Sequence, residues 1–234
     1  MNQDAAKKAA GEAAAAMAED GQRVGLGTGS TTAFTIAALG RRVREDGLQI
    51  VGTPTSFAAE RLARQHGVPL ATLDELDTLD IAFDGADEVS PGLDLIKGRG
   101  AAHTREKVVA SLAARFVVLI DPSKLVTQLG TRMPVPVEVL PMAAAPVTRA
   151  LERLGARPAL RMGRSKDGPI VSDQGFWIID AHFDDGIADP AALDRTLLAL
   201  PGVLDHGLFI NMATDVLVGE PSGEVRVLRK GEGG

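Results

Sequence analysis

Short apolar runs alternate with helical patterns through the first half of the chain, and this alternation constrains the fold more than any other feature. Continuous apolar runs, as opposed to alternating ones, are typical of strands that are covered on both faces, and their alternation with helices is typical of βαβ units. The sequence therefore predicts an α/β fold with a mostly parallel, doubly wound sheet. The predicted strands are Val24–Leu26, Gln49–Val51, Asp80–Phe83 and Phe116–Ile120, and the predicted helices are Thr31–Glu45, Ser56–His66 and Thr104–Ala114.

The pattern changes after Asp121, and a length of 234 residues is enough for one large domain and a smaller one. Strand-like and helical segments here predict a small α+β unit on an antiparallel sheet. These segments are the strands Val135–Leu140, Ala159–Met162 and Phe176–Phe183 and the helices Ala145–Leu154 and Pro190–Leu200. Three last strand-like runs, Leu208–Asn211, Asp215–Val218 and Val225–Leu228, are compatible with either unit.

Composition excludes several classes of partner. A formal charge of −6 argues against binding to nucleic acid or to an anionic membrane. The chain has no cysteine, which excludes disulfides and thiolate metal sites. Acids and lysines interrupt the alanine-rich N-terminus, so we expect a surface helix from Asp4 to about Glu19 in a cytoplasmic protein and a loose tail at Gly231–Gly234.

The segment VGLGTGSTT at 24–32 follows a predicted strand and opens a predicted helix. Its glycines allow a ligand to approach the backbone at a helix N-terminus, which favours an anion. A dinucleotide fingerprint would need a third glycine at position 30, where this chain has Ser30. Hydroxyls at Thr28, Ser30, Thr31 and Thr32 suit a phosphate monoester, and the alternative is a tight turn with Ser30 or Thr31 as the N-cap.

The segment FDGADEVSPGLDLIKGRGAAHTREK at 83–107 is dense in charge and glycine. Asp84 and Asp87 follow a predicted buried strand, and open α/β sheets bind their ligands at this end of the strands. The pair is compatible with a cation site, with proton transfer, or with aspartates that hydrogen-bond their own turn. A cation would need more ligands, and the acids and imidazole nearby in sequence are Glu88, Asp94 and His103.

Three further charged residues have both a functional and a structural interpretation. Lys97 lies among glycines that expose it to a ligand, where an ammonium stabilises an oxyanion; the alternative is a solvated loop lysine. Glu106 lies at a predicted helix start, where Thr104 is the candidate cap, and serves either as a general base or as a residue that favours the helix dipole. Lys124 follows a strand and is either a second phosphate ligand or a solvated turn residue.

Together, an anion-binding loop, two strand-end aspartates, a lysine and a helix-start glutamate are what a phosphosugar isomerase needs. Five ordered motifs, joined by LPGVLDHGLF at 200–209, also resemble those of the type A ribose-5-phosphate isomerases over nearly the whole chain. These motifs are GLGTGST at 25–31, DGADE at 84–88, KGRGAAHTREK at 97–107, DPSK at 121–124 and PVPVEVLPM at 134–142.

The resemblance implies interconversion of ribose 5-phosphate and ribulose 5-phosphate in the non-oxidative pentose phosphate pathway, without a metal or nucleotide cofactor. By motif, Glu106 would be the base between carbons 2 and 1, Lys97 would stabilise the enediolate, and Asp84 and Asp87 would handle substrate hydroxyls. The implied substrate-binding residues are Thr28, Gly29, Ser30, Thr31, Asp84, Gly85, Ala86, Asp87, Lys97, Gly98, Arg99, Gly100 and Lys124.

The resemblance also implies a Rossmann-like large domain formed by residues 1–131 and 207–234, a small ferredoxin-like domain at 132–206, and a homodimer or homotetramer. Two positions depart from the motif that the family often shows: Arg99 replaces a glycine, and His103 stands where an apolar residue is common. Arg99 either adds positive potential near the substrate or points to solvent.

Two other functions are compatible with parts of the pattern. A phosphosugar isomerase-deaminase or a CoA-transferase-like relative would share the sheet and the anion-binding loop. A sugar-phosphate sensor of a transcriptional regulator would bind the same ligand without turnover, but it needs no base at Glu106. About twenty-five residues precede the loop, which is too few for a helix-turn-helix module.

Overall fold

The computed structural model describes residues 3–230, so the tail predicted at 231–234 lies outside the described residues. The helices are α1 Gln3–Ala16, α2 Ser30–Glu45, α3 Phe57–His66, α4 His103–Leu112, α5 Ala144–Arg153 and α6 Pro190–Leu198. The strands are β1 Arg23–Leu26, β2 Val51–Pro54, β3 Leu79–Gly85, β4 Glu88–Val89, β5 Leu95–Ile96, β6 Ala113–Ile120, β7 Val135–Val139, β8 Arg157–Leu160, β9 Trp177–His182, β10 Val203–His206, β11 Leu208–Phe209, β12 Asp215–Gly219 and β13 Val225–Arg229. Among the described residues, none of these helices is both long and apolar enough to cross a membrane.

The chain divides into two compact units. Within the described residues the first unit comprises 3–86, 105–125 and 212–230, and the second comprises 87–104 and 126–211. The second unit thus includes residues 87–104, 126–131 and 207–211, which the sequence analysis assigned to the large domain. The domain boundaries inferred from the sequence stay a prediction.

The first unit is built on a mostly parallel sheet. Its described residues form six strands in the order β13-β12-β6-β3-β1-β2, in which β13 alone runs antiparallel to its neighbour. Residues 81–83 of β3 and 116–120 of β6 are apolar and buried, as expected for strands with helices on both faces. This confirms the predicted α/β class and assigns β12 and β13 to the first unit.

The second unit contains the small antiparallel sheet. Its described strands follow the order β10-β7-β9-β8, with α5 between β7 and β8 and α6 between β9 and β10 along the chain. This βαββαβ order, with antiparallel neighbours throughout, is the ferredoxin-like arrangement and confirms the predicted fold of the smaller part. A separate sheet of described residues has the order β11-β5-β4, so β11 belongs to this unit.

One predicted strand was displaced. The sequence analysis placed it at Gln49–Val51, whereas β2 runs from Val51 to Pro54, because parallel pairing with β1 sets Val51 opposite Arg23 and Pro54 opposite Leu26. Pro54 is tolerated there since it ends a strand at the edge of the sheet. The correction moves the carboxyl end of β2 to Pro54, so Thr55 and Ser56 directly follow the strand.

Candidate active site

The strand order of the first unit sets several predicted residues side by side. β6, β3 and β1 are consecutive neighbours and parallel, so their carboxyl ends share one edge of the sheet. Asp84 is the penultimate residue of β3, Thr28 follows the end of β1 by two residues, and Lys124 follows the end of β6 by four. This edge is where doubly wound folds bind their ligands.

Asp84 fastens β3 to the loop after β1. The side chain is 2% exposed, and Oδ1 accepts hydrogen bonds from the backbone amides of Thr28 at 3.1 Å and Gly85 at 2.8 Å. The Gly85 contact is the local turn bond that the sequence analysis gave as the structural alternative, but the Thr28 contact spans two strands. Asp84 therefore does more than close its own turn.

Gly27 is required by this close approach. A Cβ atom at Gly27 would lie 2.4 Å from Oδ1 of Asp84 and 2.4 Å from the carbonyl oxygen of Phe83, closer than non-bonded atoms approach. The amide of Gly27 also donates to that carbonyl at 2.9 Å. The first glycines of the loop thus bring the backbone against a buried carboxylate.

We expect Gly27→Ala to lower the free energy of unfolding by about 1 to 3 kcal/mol, because the added methyl must displace either the loop or Asp84. It should also weaken binding of inorganic phosphate, measured by calorimetry beside urea unfolding. Gly92→Ala is the matched control, since the nearest atom to its added Cβ lies 3.8 Å away. Equal stability and phosphate affinity in the two variants would contradict the expectation.

Two hydroxyl residues at the end of β2 extend the loop. Oγ1 of Thr28 donates to Oγ of Ser56 at 2.6 Å and lies 2.9 Å from Oγ1 of Thr55. Thr55 and Ser56 are buried, and Ser56 also caps α3 by accepting from the amide of Ala59 at 3.0 Å. The sequence analysis missed both residues because it ended the strand three residues early; a hydroxyl pair directly after Pro54 was the available signal.

The N-terminus of α2 faces a cleft. Gly29 is the N-cap, with φ of 127°, and among the described residues no side chain caps this helix end. The N-cap role suggested for Ser30 or Thr31 is therefore wrong, since α2 begins at Ser30. A cleft of about 490 Å³ opens here, lined by the loop at Thr28 and Gly29 and by Phe57 of α3. The first amides of a 16-residue helix are thus available to an anion.

Asp121 organises the turn that carries Lys124. Its carboxylate accepts from the Ser123 amide at 2.9 Å, from the Ser123 hydroxyl, and from Nε2 of Gln3 at 3.1 Å. Burial acts to raise the pKa of Asp121, but the hydrogen bonds from Ser123 and Gln3 and the nearby Lys124 charge together hold that pKa below its usual value. A charged Asp121 therefore fixes the turn, and Lys124 is half-buried beyond it.

Glu106 lies in the first turn of α4 and is 5% exposed. It precedes Val109 by three residues, so the two side chains share one face of the helix. That face packs on β1, because a Cβ at Gly25 would lie 2.6 Å from Cγ1 of Val109. Glu106 is therefore a buried carboxylate. A glutamate that served only to favour the helix dipole would have no reason to be buried.

The second unit contains the other predicted residues. The amide of Asp87 donates to the carbonyl of Ile96 at 2.8 Å, and Oδ2 of Asp87 accepts from the amide of Arg99 at 3.1 Å. The Arg99 side chain is exposed, while its carbonyl and that of Gly98 accept from Nη1 of Arg161 at 3.1 and 3.0 Å. Asp84 and Asp87, predicted as a pair, thus belong to different units, and Asp87 holds the glycine-rich loop.

Lys97 is buried and not solvated. Its side chain is 3% exposed, and its amide donates to the carbonyl of Gly207 at 2.8 Å. The following residue, Gly98, has φ of 105°, and a Cβ there would lie 2.7 Å from Nδ1 of His103. The solvated-lysine interpretation is therefore wrong, and the glycine after Lys97 is needed for both conformation and space.

A buried carboxylate that the sequence analysis missed organises the start of α4. Glu138 is 1% exposed; it accepts from the hydroxyls of Thr104 and Ser172, and its Oε2 lies 4.0 Å from Nε2 of His103. The capping role predicted for Thr104 is wrong, because α4 begins one residue earlier and the hydroxyl bonds to Glu138. His103, noted as unusual, is fully buried beside this group.

The acids and imidazoles of the described chain are not arranged as metal ligands. Within residues 3–230 no cluster of three or more such side chains could hold an ion. Glu88, a candidate ligand by sequence, is fully buried and accepts from the amides of Gly130, Arg132 and Met133 at 2.6 to 2.7 Å. Hydrogen bonds from three backbone amides explain why this carboxylate is buried, without a metal ion.

Comparison with known proteins gives a consistent result. Residues 51–223 match the family model described as ribose 5-phosphate isomerase A (phosphoriboisomerase A). The chain is 58% identical over 224 residues to ribose-5-phosphate isomerase A of Thermosynechococcus vestitus, covering 94% of each protein.

Two solved structures extend the similarity to three dimensions. Ribose 5-phosphate isomerase A from Methanocaldococcus jannaschii is 47% identical, with a TM-score of 0.93 over 98% of this chain and 100% of that one. A D-ribose-5-phosphate isomerase in complex with phospho-erythronic acid is 46% identical, with a TM-score of 0.95 over the same shares. This chain therefore belongs to the ribose 5-phosphate isomerase A family.

Proposed function

We propose that this protein interconverts D-ribose 5-phosphate and D-ribulose 5-phosphate by proton transfer through an enediolate. The observation that carries the proposal is the edge of the first unit's sheet, where buried Asp84 is hydrogen-bonded to an anion-binding loop at a helix N-terminus. Family membership supports the substrate and the reaction. An aldose-ketose isomerisation needs little more than a phosphate site, a base and an electrophile.

Glu106 acts as the base in this proposal. Its carboxylate takes the proton from carbon 2 of the open-chain aldose, and the electron pair moves to form the enediolate. The same carboxyl group then returns the proton to carbon 1, while the hydroxyl proton on oxygen 2 is transferred to oxygen 1, which leaves the ketone at carbon 2. A buried position suits this role, because close packing restricts the carboxylate to few conformations and so keeps it oriented.

Lys97 acts as the electrophile. Negative charge develops on the substrate oxygens as the carbon 2 proton leaves, and a desolvated ammonium stabilises it more strongly than a solvated one. The ligand of the related structure supports this assignment. Phospho-erythronic acid combines a phosphate with a planar carboxylate on a hydroxylated chain, and the carboxylate matches an enediolate in shape and charge.

The remaining predicted residues bind and open the sugar. Asp84 and Asp87 exchange protons with substrate hydroxyls during ring opening and isomerisation. Residues 85, 86 and 98–100 contribute backbone to the substrate site. The phosphate binds at Thr28–Thr31 and Lys124, and we add Thr55 and Ser56 as residues that hold the Thr28 hydroxyl in place.

A coupled assay with ribose 5-phosphate and detection of the ketose tests the reaction. Glucosamine 6-phosphate with ammonia detection, run in parallel, tests the isomerase-deaminase alternative. We expect turnover of the pentose phosphate and no release of ammonia. Activity on the amino sugar alone would refute the proposal, and binding of ribose 5-phosphate without turnover would favour a sensor.

We expect activity to survive exhaustive treatment with a chelator, because Lys97 and the protein's own acids supply the charge that a metal would otherwise provide. The measurement is turnover of ribose 5-phosphate before and after incubation with EDTA, followed by gel filtration. Loss of activity that Mg²⁺ or Mn²⁺ restores would instead make the aspartates metal ligands.

We also propose a cytoplasmic homodimer or homotetramer, as the family resemblance implies. Multi-angle light scattering of the purified chain measures the assembly, and fractionation of cells measures the location. A monomer at assay concentration that turns over normally would remove the assembly from the proposal.

A further inference from the structure

The motif LPGVLDHGLF at 200–209 has no role in the mechanism described so far. It contains β10, Gly207 and β11, and β11 pairs with β5 so that Leu208 lies opposite Ile96. Lys97 follows β5 directly. The motif therefore runs beside the residue that we assign as the electrophile.

Gly207 permits an unusually close approach of these two segments. A Cβ atom at this position would lie 2.1 Å from the carbonyl oxygen of Lys97 and 2.6 Å from Cδ of Pro136. The Gly207 carbonyl accepts from the Lys97 amide at 2.8 Å, and the Gly207 amide donates to the Pro136 carbonyl at 2.8 Å. The backbone of Lys97 is thus fixed at a defined distance from β11.

Phe209 provides the surface on which the Lys97 side chain lies. Nζ of Lys97 is 5.3 Å from the centroid of the Phe209 ring, within the range of a cation–π interaction. The ring is fully buried and the lysine is 3% exposed. An aromatic face attracts a cation more strongly when both are shielded from water, so the attraction between Lys97 and Phe209 is stronger here than at an exposed site.

We propose that Phe209 is a positioning residue for the isomerisation, which holds the charged Lys97 ammonium by the face of its ring. The ring favours the protonated lysine and limits its conformations, so the ammonium is in place before negative charge develops on the substrate. An aliphatic side chain would fill the same space without attracting the charge. This inference rests on the proposed function.

Graded fluorination of the ring tests the proposal in the full-length protein. Substituting 4-fluoro-, 3,5-difluoro- and 3,4,5-trifluorophenylalanine at position 209 weakens the negative face of the ring stepwise with little change in its size. We expect log kcat for ribose 5-phosphate to fall with each step, by about 10- to 30-fold in total. KM for ribose 5-phosphate and Kd for inorganic phosphate should stay within about two-fold, because the phosphate loop is unchanged.

The same fluorinated series at Phe183 is the matched control, because this ring packs against the hydrophobic core of the same unit. There we expect no trend in kcat. Phe209→Leu gives a second, independent measurement: its affinity for phospho-erythronic acid should fall about ten-fold while its affinity for inorganic phosphate is retained. In a Lys97→Met background the Phe209→Leu change should have no further effect on either quantity, because the cation is gone.

The outcomes separate this inference from the function on which it rests. Failure of the unsubstituted protein to turn over ribose 5-phosphate would refute the proposed function and this inference with it. Normal turnover by the unsubstituted protein with a flat fluorination series at Phe209 would refute the inference alone. Equal losses of phosphate and phospho-erythronic acid affinity in Phe209→Leu would show a structural role instead.

Discussion

Glu106→Gln should lower kcat for ribose 5-phosphate about 10³-fold, within the range expected when a general base is removed. Glutamine preserves the shape of the side chain in the first turn of α4 but cannot accept the carbon 2 proton. KM and the affinity for phosphate should change little, because the proposed mechanism has Glu106 act on carbons 1 and 2 and not on the phosphate. The measurement is steady-state turnover together with calorimetric titration of inorganic phosphate.

Isotope exchange separates the base from a residue that merely supports the helix. In D₂O the unsubstituted protein should incorporate deuterium at carbon 2 of the aldose, and the Gln variant should lose this exchange in parallel with turnover. Glu60→Gln is the matched control, since Glu60 also lies in the first turn of a helix, α3, and is paired with Arg64 on the surface. Unchanged exchange in Glu106→Gln would remove Glu106 from the mechanism.

The sequence predicted the larger elements because each carries its own signal. Continuous apolar runs identify β1, β3 and β6, and the helical periods identify α2, α5 and α6. The two-residue strands β4 and β5 were missed because two residues contain no period, and they exist through pairing with each other and with β11. β10 was missed because its Leu-Asp-His sequence resembles a turn, whereas pairing with β7 makes it a strand.

The candidate residues were easier to identify from the sequence than the contacts that hold them in place. Asp84, Lys97 and Glu106 stood out by residue type and position, but Glu138 lies 34 residues from its partner Thr104 and reads as an ordinary strand residue. Thr55 and Ser56 were hidden by a three-residue error in one strand. Supporting residues depend on tertiary pairing, and local sequence does not encode it.

Burial is the property that distinguishes the functional from the structural interpretation of these charges. Lys97, Glu106 and Asp84 are each at most 5% exposed, although each also had a structural interpretation by sequence. Removing a charge from water is unfavourable, so such residues are rare unless they are paired or functional. Burial therefore favours the functional interpretation of all three residues.

Lys97→Met should lower kcat about 10²- to 10³-fold, as expected when a group that stabilises a developing oxyanion is lost. Methionine retains an unbranched apolar chain of similar length, so the space beside Phe209 stays filled. Affinity for phospho-erythronic acid should fall by a similar factor, because its carboxylate carries the charge that Lys97 stabilises. Inorganic phosphate should bind as before, since its proposed ligands are at Thr28–Thr31 and Lys124.

The role of Lys97 follows from comparing the loss of turnover and of phospho-erythronic acid affinity with the change in phosphate affinity. If the lysine served folding alone, Lys97→Met would lower the melting temperature, and both ligands would lose affinity together. If Lys97 stabilises the transition state, the variant must lose turnover and affinity for phospho-erythronic acid while its affinity for inorganic phosphate stays unchanged. Lys166→Met is the matched control: this lysine is exposed and donates to the carbonyl of Pro169, so its replacement should leave both quantities unaltered. A near-normal kcat in the Lys97→Met protein would refute the role of Lys97 as the electrophile. It would also refute the proposal that Phe209 positions the Lys97 ammonium for the reaction.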